Sequence, residues 1–190
     1  MNKEVLRKEY LDRRKRLDSI EWVRRNSALH EHFFDNIKLE KITSVHMFLP
    51  MVERMEPDTW QIITQLQKKH PEIRIIISRT VWKDHSLEHY VFENRAQLEV
   101  NRYGIPEPVS GTRVDNSEID MVVVPLLVVD KRGHRIGYGG GFYDRFLAKL
   151  GAHVFKVGFS LANPIEIDIE TEPHDIPLNA CICPAGFFEF

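Results

Sequence analysis

The chain has 190 residues, of which 43% are hydrophobic and 28% charged, which is enough apolar material for one domain with a sizeable core. A formal net charge of -2 argues against a surface built for nucleic acid. The longest apolar run, MVVVPLLVVD at 121–130, is too short to span a bilayer and is broken by Pro125, and the N-terminus lacks the apolar stretch of a signal peptide. The two cysteines, Cys181 and Cys183, are too close in sequence for a disulfide framework. We expect a cytoplasmic monomer with a single domain over 1–190, small-molecule substrates, and no nucleic-acid or membrane partner.

Helices and short apolar runs alternate along the chain. Asp18 followed by Glu21 has the spacing of a capping box, and Pro71 ends a later helical pattern. The predicted helices cover 3–17, 18–36, 59–70 and 142–150. The predicted strands cover 42–50, 72–80, 87–93, 119–129, 153–160 and 179–184. Because the run 119–129 is continuously apolar, it predicts a strand buried on both faces. The order indicates a Rossmann-like α/β fold, a three-layer α/β/α sandwich with a mostly parallel sheet.

The segment RIGYGGG, residues 135–141, contains four of the ten glycines of the chain. It follows the predicted buried strand and precedes the predicted helix 142–150, where α/β sheets bind ligands. Glycine lets the backbone adopt positive φ and approach a ligand closely, and a helix N-terminus attracts anions. Arg135 adds positive charge. The segment therefore predicts a phosphate site.

Two common nucleotide-binding motifs do not describe this segment. No Lys-Ser or Lys-Thr follows the glycines, as a P-loop requires, and Phe142 stands where the last glycine of a dinucleotide fingerprint would fall. The alternative without a ligand is a flexible turn between a strand and a helix.

Two aspartates are candidates for a metal site. Asp144 lies in the first turn of the predicted helix, and Asp175 lies on a later loop bracketed by prolines. Mg²⁺ favours one or two carboxylates together with substrate phosphates. The alternatives are that Asp144 complements the helix dipole or pairs with Arg145 or Lys149, and that Asp175 forms a turn.

The first predicted helix places Lys3, Arg7, Tyr10 and Arg14 on one face, beside apolar Leu6. Lys3 and Arg7 could reach phosphates bound at the glycine loop. A solvated charged face is the alternative. An RNA-binding helix is a third hypothesis, which the interspersed acidic residues disfavour.

Several motifs, taken together and in order, resemble the 5-formyltetrahydrofolate cyclo-ligase family. They are KEVLR at the start, FLPMVERMEPD at 48–58, NRYGIPEP at 101–108, DKRGHRIGYGGGFYDRFL at 130–147 and PHD at 173–175. The resemblance covers nearly the whole chain, and its specific part is the glycine segment with the Tyr-Asp-Arg that follows. Another phosphate-ester enzyme, such as a sugar-phosphate isomerase, remains the alternative among enzymes.

The resemblance implies cyclisation of 5-formyltetrahydrofolate to 5,10-methenyltetrahydrofolate, with ATP as co-substrate and Mg²⁺ as cofactor. Residues implied to bind ATP are Lys3, Arg7, Arg135, Gly137, Gly139, Gly140, Gly141, Phe142 and Tyr143. Residues implied to bind folate are Met51, Glu56, Tyr103 and Tyr138, with core packing as the alternative for Met51 and turn packing for Tyr103. The resemblance assigns the metal to Asp144 and Asp175, and catalysis to Lys3, Arg135 and Tyr143. Some relatives carry basic residues in place of Tyr138 and Gly140.

Overall fold

The computed structural model describes residues 2–190. This part of the chain forms four α-helices and twelve strands. The helices are α1 (Lys3–Lys15), α2 (Ser19–Asn36), α3 (Trp60–Lys69) and α4 (Phe142–Leu147). The first six strands are β1 (Ser44–His46), β2 (Arg74–Val81), β3 (Ser86–Val91), β4 (Leu98–Val100), β5 (Pro106–Pro108) and β6 (Arg113–Val114). The others are β7 (Met121–Pro125), β8 (Val128–Val129), β9 (Arg135–Ile136), β10 (Phe155–Phe159), β11 (Ala180–Cys183) and β12 (Gly186–Glu189).

The main sheet has eight strands in the order β12-β11-β10-β7-β1-β2-β3-β6. The five central strands, from β11 to β2, pair in parallel, and antiparallel strands complete both edges. The prediction of an α/β fold with a mostly parallel sheet is confirmed. The chain runs from β1 outward to β2 and then returns past β1 to β7, so the strand order reverses between β1 and β7. The carboxyl ends of strands at such a switch point border a crevice in which α/β proteins bind ligands.

Apolar side chains cover both faces of this sheet. On one face, Phe33 of α2 and Leu66 of α3 are buried against inward residues of the central strands. On the other face, Phe146 of the short helix α4 packs with Val122 of β7 and with residues from non-helical segments such as Leu178. The helical layer on this second face is therefore thinner than the corresponding layer of a typical three-layer sandwich. Burial on both faces explains the continuous apolar sequence of β7.

The predicted single strand over 119–129 is wrong in its second half. β7 ends at Pro125, and Val128–Val129 forms β8, which pairs with β9 in a separate antiparallel hairpin. Proline has no N–H to donate to a ladder, so it ends the pairing there. The hairpin leads the chain out of the main sheet, and the glycine segment therefore lies at the carboxyl ends of the parallel strands.

Helix α1 packs on this hairpin rather than on the main sheet. Leu6 and Tyr10 are buried against Val128 and Ile136. Its side-chain N-cap is Asn2, whose Oδ1 accepts a hydrogen bond from the Glu4 N–H. The start of α1 is thereby held beside the glycine segment. No helix among residues 2–190 is both long enough and apolar enough to cross a membrane.

Candidate active site

One cavity of about 510 Å³ lies at the carboxyl edge of the sheet, a volume typical of small-molecule sites. Phe48 and Leu49, just after β1, and Pro125, the last residue of β7, contribute to its wall. All fifteen candidate residues of the sequence analysis line it, namely Lys3, Arg7, Met51, Glu56, Tyr103, Arg135, Gly137, Tyr138, Gly139, Gly140, Gly141, Phe142, Tyr143, Asp144 and Asp175. Segments up to 172 residues apart in sequence, such as those of Lys3 and Asp175, meet here.

The glycine segment joins β9 to α4 with a backbone that requires glycine at two positions. Gly139 has φ of 90° and Gly141, the N-cap residue of α4, has φ of 70°, which L residues rarely adopt. A Cβ at Gly139 would also lie 3.1 Å from Cζ of Arg7. At Gly137, by contrast, a Cβ would meet no protein atom within 4 Å. The loop therefore packs closely on Arg7 at one glycine and faces open space at another.

Two cations of α1 enter the cavity. Lys3 Nζ lies 2.5 Å from Asp175 Oδ2, and Arg7 Nε donates to the Gly137 carbonyl oxygen at 3.0 Å. The solvated-face alternative is wrong for these two residues, although it describes exposed Lys8 and Asp12 of the same helix. Lys3 and Arg7 thus bring positive charge to the glycine segment from the opposite end of the chain.

Arg135 and Asp144 form an ion pair in the wall of the cavity. The Arg135 side chain is only 6% exposed, and its Nη2 lies 2.7 Å from Asp144 Oδ1. Its Nη1 donates to the Ile176 carbonyl oxygen at 2.5 Å. Burial lowers the pKa of Arg135, and the negative charge of Asp144 opposes this effect. The alternative that Asp144 pairs with Arg145 or Lys149 is wrong, because its observed partner is Arg135, which is farther away in the sequence.

Glu56 is the most buried acid of the cavity, with 2% of its surface exposed. Its Oε2 accepts a hydrogen bond from the Met51 N–H at 2.7 Å, and its Oε1 accepts one from the Tyr138 hydroxyl. Burial raises the pKa of Glu56, while these two hydrogen bonds lower it. The tight turn after β1 therefore holds a carboxylate in the cavity at a position where little water reaches it.

Arg14 completes this hydrogen-bonded chain, and the sequence analysis did not assign it to the site. Its Nη2 donates to the Tyr138 hydroxyl, which in turn donates to Glu56. The residue is 7% exposed. A signal for it was present, because Arg14 follows Arg7 by seven residues and so lies on the same helix face.

Tyr138 of the glycine segment and Tyr143 of α4 both keep their hydroxyl proton at neutral pH. Burial and the negative charge of Glu56 raise the pKa of the Tyr138 hydroxyl and that of the Tyr143 hydroxyl. Neither hydroxyl is therefore suited to act as a base, and the proton of Tyr138 is already donated to Glu56.

An aromatic rim borders the open side of the cavity. Tyr103, which is 39% exposed, stacks on Trp82 with ring centroids 4.1 Å apart and an interplanar angle of 35°. The Trp82 ring meets Phe142 edge-on at 5.3 Å. Met51 is half-buried at the cavity, so the core-packing alternative is wrong for it, whereas Tyr103 lies in a turn and packs on Trp82 at the rim, as its alternative expected. Trp82 lies at the end of a strand in no recognisable motif, and the sequence analysis missed it.

The two acids predicted to hold a metal ion, Asp144 and Asp175, lie near the glycine segment and already bind cationic side chains. Asp144 pairs with Arg135 through Oδ1, and Asp175 accepts from Lys3 and from the Glu172 N–H through Oδ2. Among residues 2–190 no group of three or more His, Cys, Asp or Glu side chains could hold a metal ion alone. A cage made only of protein ligands is thus absent from the described chain. A metal ion held by Asp144 and Asp175 would need further ligands from substrate or water.

The comparisons with known proteins agree with the resemblance seen in the motifs, and that prediction is confirmed. The sequence model of the 5-formyltetrahydrofolate cyclo-ligase family matches residues 1–184. The 5-formyltetrahydrofolate cyclo-ligase of Escherichia coli K12 is 30% identical over 141 residues, which cover 71% of this chain and 75% of that protein. A probable 5-formyltetrahydrofolate cyclo-ligase of Schizosaccharomyces pombe is 31% identical over 115 residues, which cover 53% of this chain and 56% of that protein.

A solved structure gives the same result. The 5,10-methenyltetrahydrofolate synthetase of Aquifex aeolicus superposes with a TM-score of 0.82 at 26% identity, covering 100% of this chain and 93% of that one. The synthetase of Mycoplasma pneumoniae has a TM-score of 0.76 at 20% identity, covering 97% of this chain and 99% of that one, and supports the fold.

Proposed function

The chain belongs to the 5-formyltetrahydrofolate cyclo-ligase family, and on that premise we propose that it converts 5-formyltetrahydrofolate and ATP into 5,10-methenyltetrahydrofolate, ADP and phosphate in the presence of Mg²⁺. The observation that carries the proposal is the convergence of all fifteen candidate residues on a single cavity. That cavity combines a cation-rich end with a buried carboxylate, as a site for a polyphosphate and a pterin requires.

The reaction needs an activated oxygen because the formamide oxygen is a poor leaving group. The formyl oxygen attacks the γ-phosphorus of ATP and ADP departs, which leaves an imidoyl phosphate. N10 then attacks the formyl carbon, loses its proton, and phosphate departs to give the methenyl product. Phosphoryl transfer depends mainly on positioning and on neutralising charge. The site therefore needs fixed cations more than it needs a strong nucleophile.

The cationic half of the cavity consists of Lys3, Arg7 and the glycine segment, in which Arg135 carries the charge and residues 137–141 form the loop. Lys3 and Arg7 supply charge for the phosphates, and the open face at Gly137 lets backbone N–H groups approach an oxygen. Arg135 is committed to Asp144 and to the Ile176 carbonyl, so it acts chiefly by orienting that carboxylate. Phe142 and Tyr143 follow at the N-terminal turn of α4, whose positive end favours anions.

The carboxylate half consists of Glu56, Tyr138, Met51, Trp82 and Tyr103. Glu56 accepts hydrogen bonds from the amine and ring N–H groups of the pterin, which are arranged as paired donors. Tyr138, held by Arg14, keeps Glu56 in place and lies between the two substrates. Met51 and the stacked pair of Trp82 and Tyr103 provide apolar surface for the flat rings of the folate.

Asp144 and Asp175 would hold Mg²⁺ together with phosphate oxygens. When bound, the ion would neutralise charge on the phosphates. Tyr143 remains protonated and donates a hydrogen bond toward the transferred group, while Lys3, already paired with Asp175, links the metal ligands to the phosphates.

The test is a turnover assay with purified protein, 5-formyltetrahydrofolate, ATP and Mg²⁺. We expect the near-ultraviolet absorbance of the methenyl product to rise, with one ADP formed per product. Omitting ATP should abolish the signal. A folded protein that binds phosphates but gives no absorbance change would contradict the proposal and favour the other phosphate-ester enzymes considered above.

A further inference from the structure

A second cavity of about 540 Å³ lies between the end of α1, Arg25 of α2 and residues 161–165, and Arg14 in its wall contacts Tyr138 of the active-site cavity. Four arginines line it, namely Arg13, Arg14, Arg16 and Arg25. Among residues 2–190, no acidic side chain lines it, and the rest of its wall is mainly apolar, formed by residues such as Leu126, Leu161 and Ile165. None of the residues in its lining belongs to the lining of the active-site cavity.

The charges of this cavity are only partly balanced. Arg13 pairs with Glu9, and Arg25 pairs with Glu21 and donates to the Leu161 carbonyl oxygen at 2.6 Å. Arg14 has no direct carboxylate contact: its Nη2 donates to the Tyr138 hydroxyl, which lies between it and Glu56, and its Nε is buried without a hydrogen-bond partner. A buried guanidinium N–H without an acceptor is costly.

The position of the arginines at the end of α1 has a simpler partial explanation. Cations at a helix C-terminus complement its dipole, which accounts for exposed side chains such as Arg13. It does not account for Arg14, which is more than nine-tenths buried, nor for the concave apolar wall opposite.

From these observations we propose that the second cavity binds a small organic anion, with a carboxylate or phosphate-ester group toward the arginines and an apolar body against Leu126, Leu161 and Ile165. Arg16, exposed at the mouth, and Arg14, at the wall, provide the charge. Because Arg14 also holds Tyr138, the two cavities share one hydrogen-bonded chain. The proposal goes beyond the cyclo-ligase activity and does not depend on it.

The experiment measures binding by isothermal titration calorimetry at fixed ionic strength, with benzoate and phenyl phosphate as probes. Neutral benzamide and inorganic phosphate are the matched controls for charge and for the apolar body. We expect saturable binding of at least one probe at one site, with both controls weaker. Arg16→Ala should weaken that binding about tenfold, as the loss of one charge-assisted contact does. Asn163→Trp, which replaces an exposed lining residue by a bulky one, should abolish it.

Two further variants locate the site. Lys3→Ala, in the first cavity, and Arg74→Ala, an exposed arginine outside both cavities, should leave the binding unchanged. The proposal is overturned if neither probe binds, if inorganic phosphate binds as tightly as the organic anions, or if Lys3→Ala removes the binding while Arg16→Ala and Asn163→Trp retain it. Since no outcome is read from turnover, this result is independent of whether the proposed reaction is correct.

Discussion

The two halves of the active-site cavity carry opposite charges and hold their charged side chains differently. In the cationic half, three positive groups reach the cavity from two segments, α1 and β9, and each already has a partner: Lys3 with Asp175, Arg7 with the Gly137 carbonyl and Arg135 with Asp144. In the carboxylate half, one short turn after β1 buries a single acid, Glu56, and satisfies it with a backbone N–H and a tyrosine hydroxyl.

This difference has a physical consequence. Phosphates carry several charges and are best met by several cations and a metal held in fixed positions. A pterin presents neutral N–H donors in a fixed pattern, so one rigid, desolvated acceptor is sufficient and selective. Substitutions in the cationic half should therefore act on turnover and ATP, and those in the carboxylate half on folate affinity.

The largest expected effect comes from Lys3→Ala. If Lys3 acts as proposed, removing its charge should lower kcat by about 10²- to 10³-fold, measured by the methenyl absorbance at saturating substrates. Lys8→Ala, an exposed cation on the same helix, is the matched control and should turn over normally. Equal, small effects of the two variants would remove Lys3 from the cationic half.

Glu56→Gln should raise KM for 5-formyltetrahydrofolate about 10- to 100-fold, because hydrogen bonds to a charged group contribute about 1.5 to 3 kcal/mol. KM for ATP should hardly change. Because burial raises the pKa of Glu56, folate KM in the native protein should also rise as the pH falls into that raised range and the acid is protonated. Glu53→Gln, an exposed neighbour, serves as control. If Glu56→Gln raised KM for ATP instead, the division into two halves would be wrong.

Gly137→Ala tests whether the backbone of the glycine segment contacts ATP. A Cβ at this position meets no protein atom and the residue is not in the left-handed region, so the free energy of unfolding should stay the same. The new methyl group would occupy space available to a phosphate, and KM for ATP should rise about tenfold, which corresponds to ~1.4 kcal/mol. Gly139→Ala is the contrast, because its φ of 90° makes it destabilising by ~1–2 kcal/mol. Unchanged ATP kinetics in Gly137→Ala would show that no ligand approaches this glycine.

The smallest effect at neutral pH is expected for a substitution of His89, a buried residue of β3 outside the lining of the cavity. His89 packs against Phe146 and lies beside His46, and burial lowers its pKa to about 4. Since an unfolded histidine titrates near 6.5, the unfolded state binds more protons between these values. The stabilisation is therefore complete above about pH 6.5 and falls by about 3 kcal/mol as the pH drops to 4. His89→Phe should flatten the pH dependence of unfolding by urea over this range, whereas His153→Phe on the surface should not. Identical slopes in all three proteins would assign the acid loss to other groups.

Much of the fold was predictable because it depends on local patterns. The capping pair at Asp18, the apolar run at 121–125 and the β-branched strand at 74–81 each indicated an element that the structure contains. The prediction erred where a local pattern competed with tertiary pairing. Pro125 split one apolar run between two sheets, and the edge strand at 186–189 had no alternating pattern that would distinguish it from a loop.

The same distinction between local patterns and tertiary contacts applies to the site. By itself, the sequence determined the glycine segment, the helix face with Lys3 and Arg7 and the family resemblance, because spacing along one helix or one loop sets which groups point together. Only the tertiary structure decided that Asp144 pairs with Arg135, that Tyr138 is held between Arg14 and Glu56, and that Trp82 borders the cavity. These partners are brought together by the reversal of strand order between β1 and β7 and by the docking of α1 on the β8–β9 hairpin, and contacts of that kind join residues whose separation in sequence carries no periodic signal.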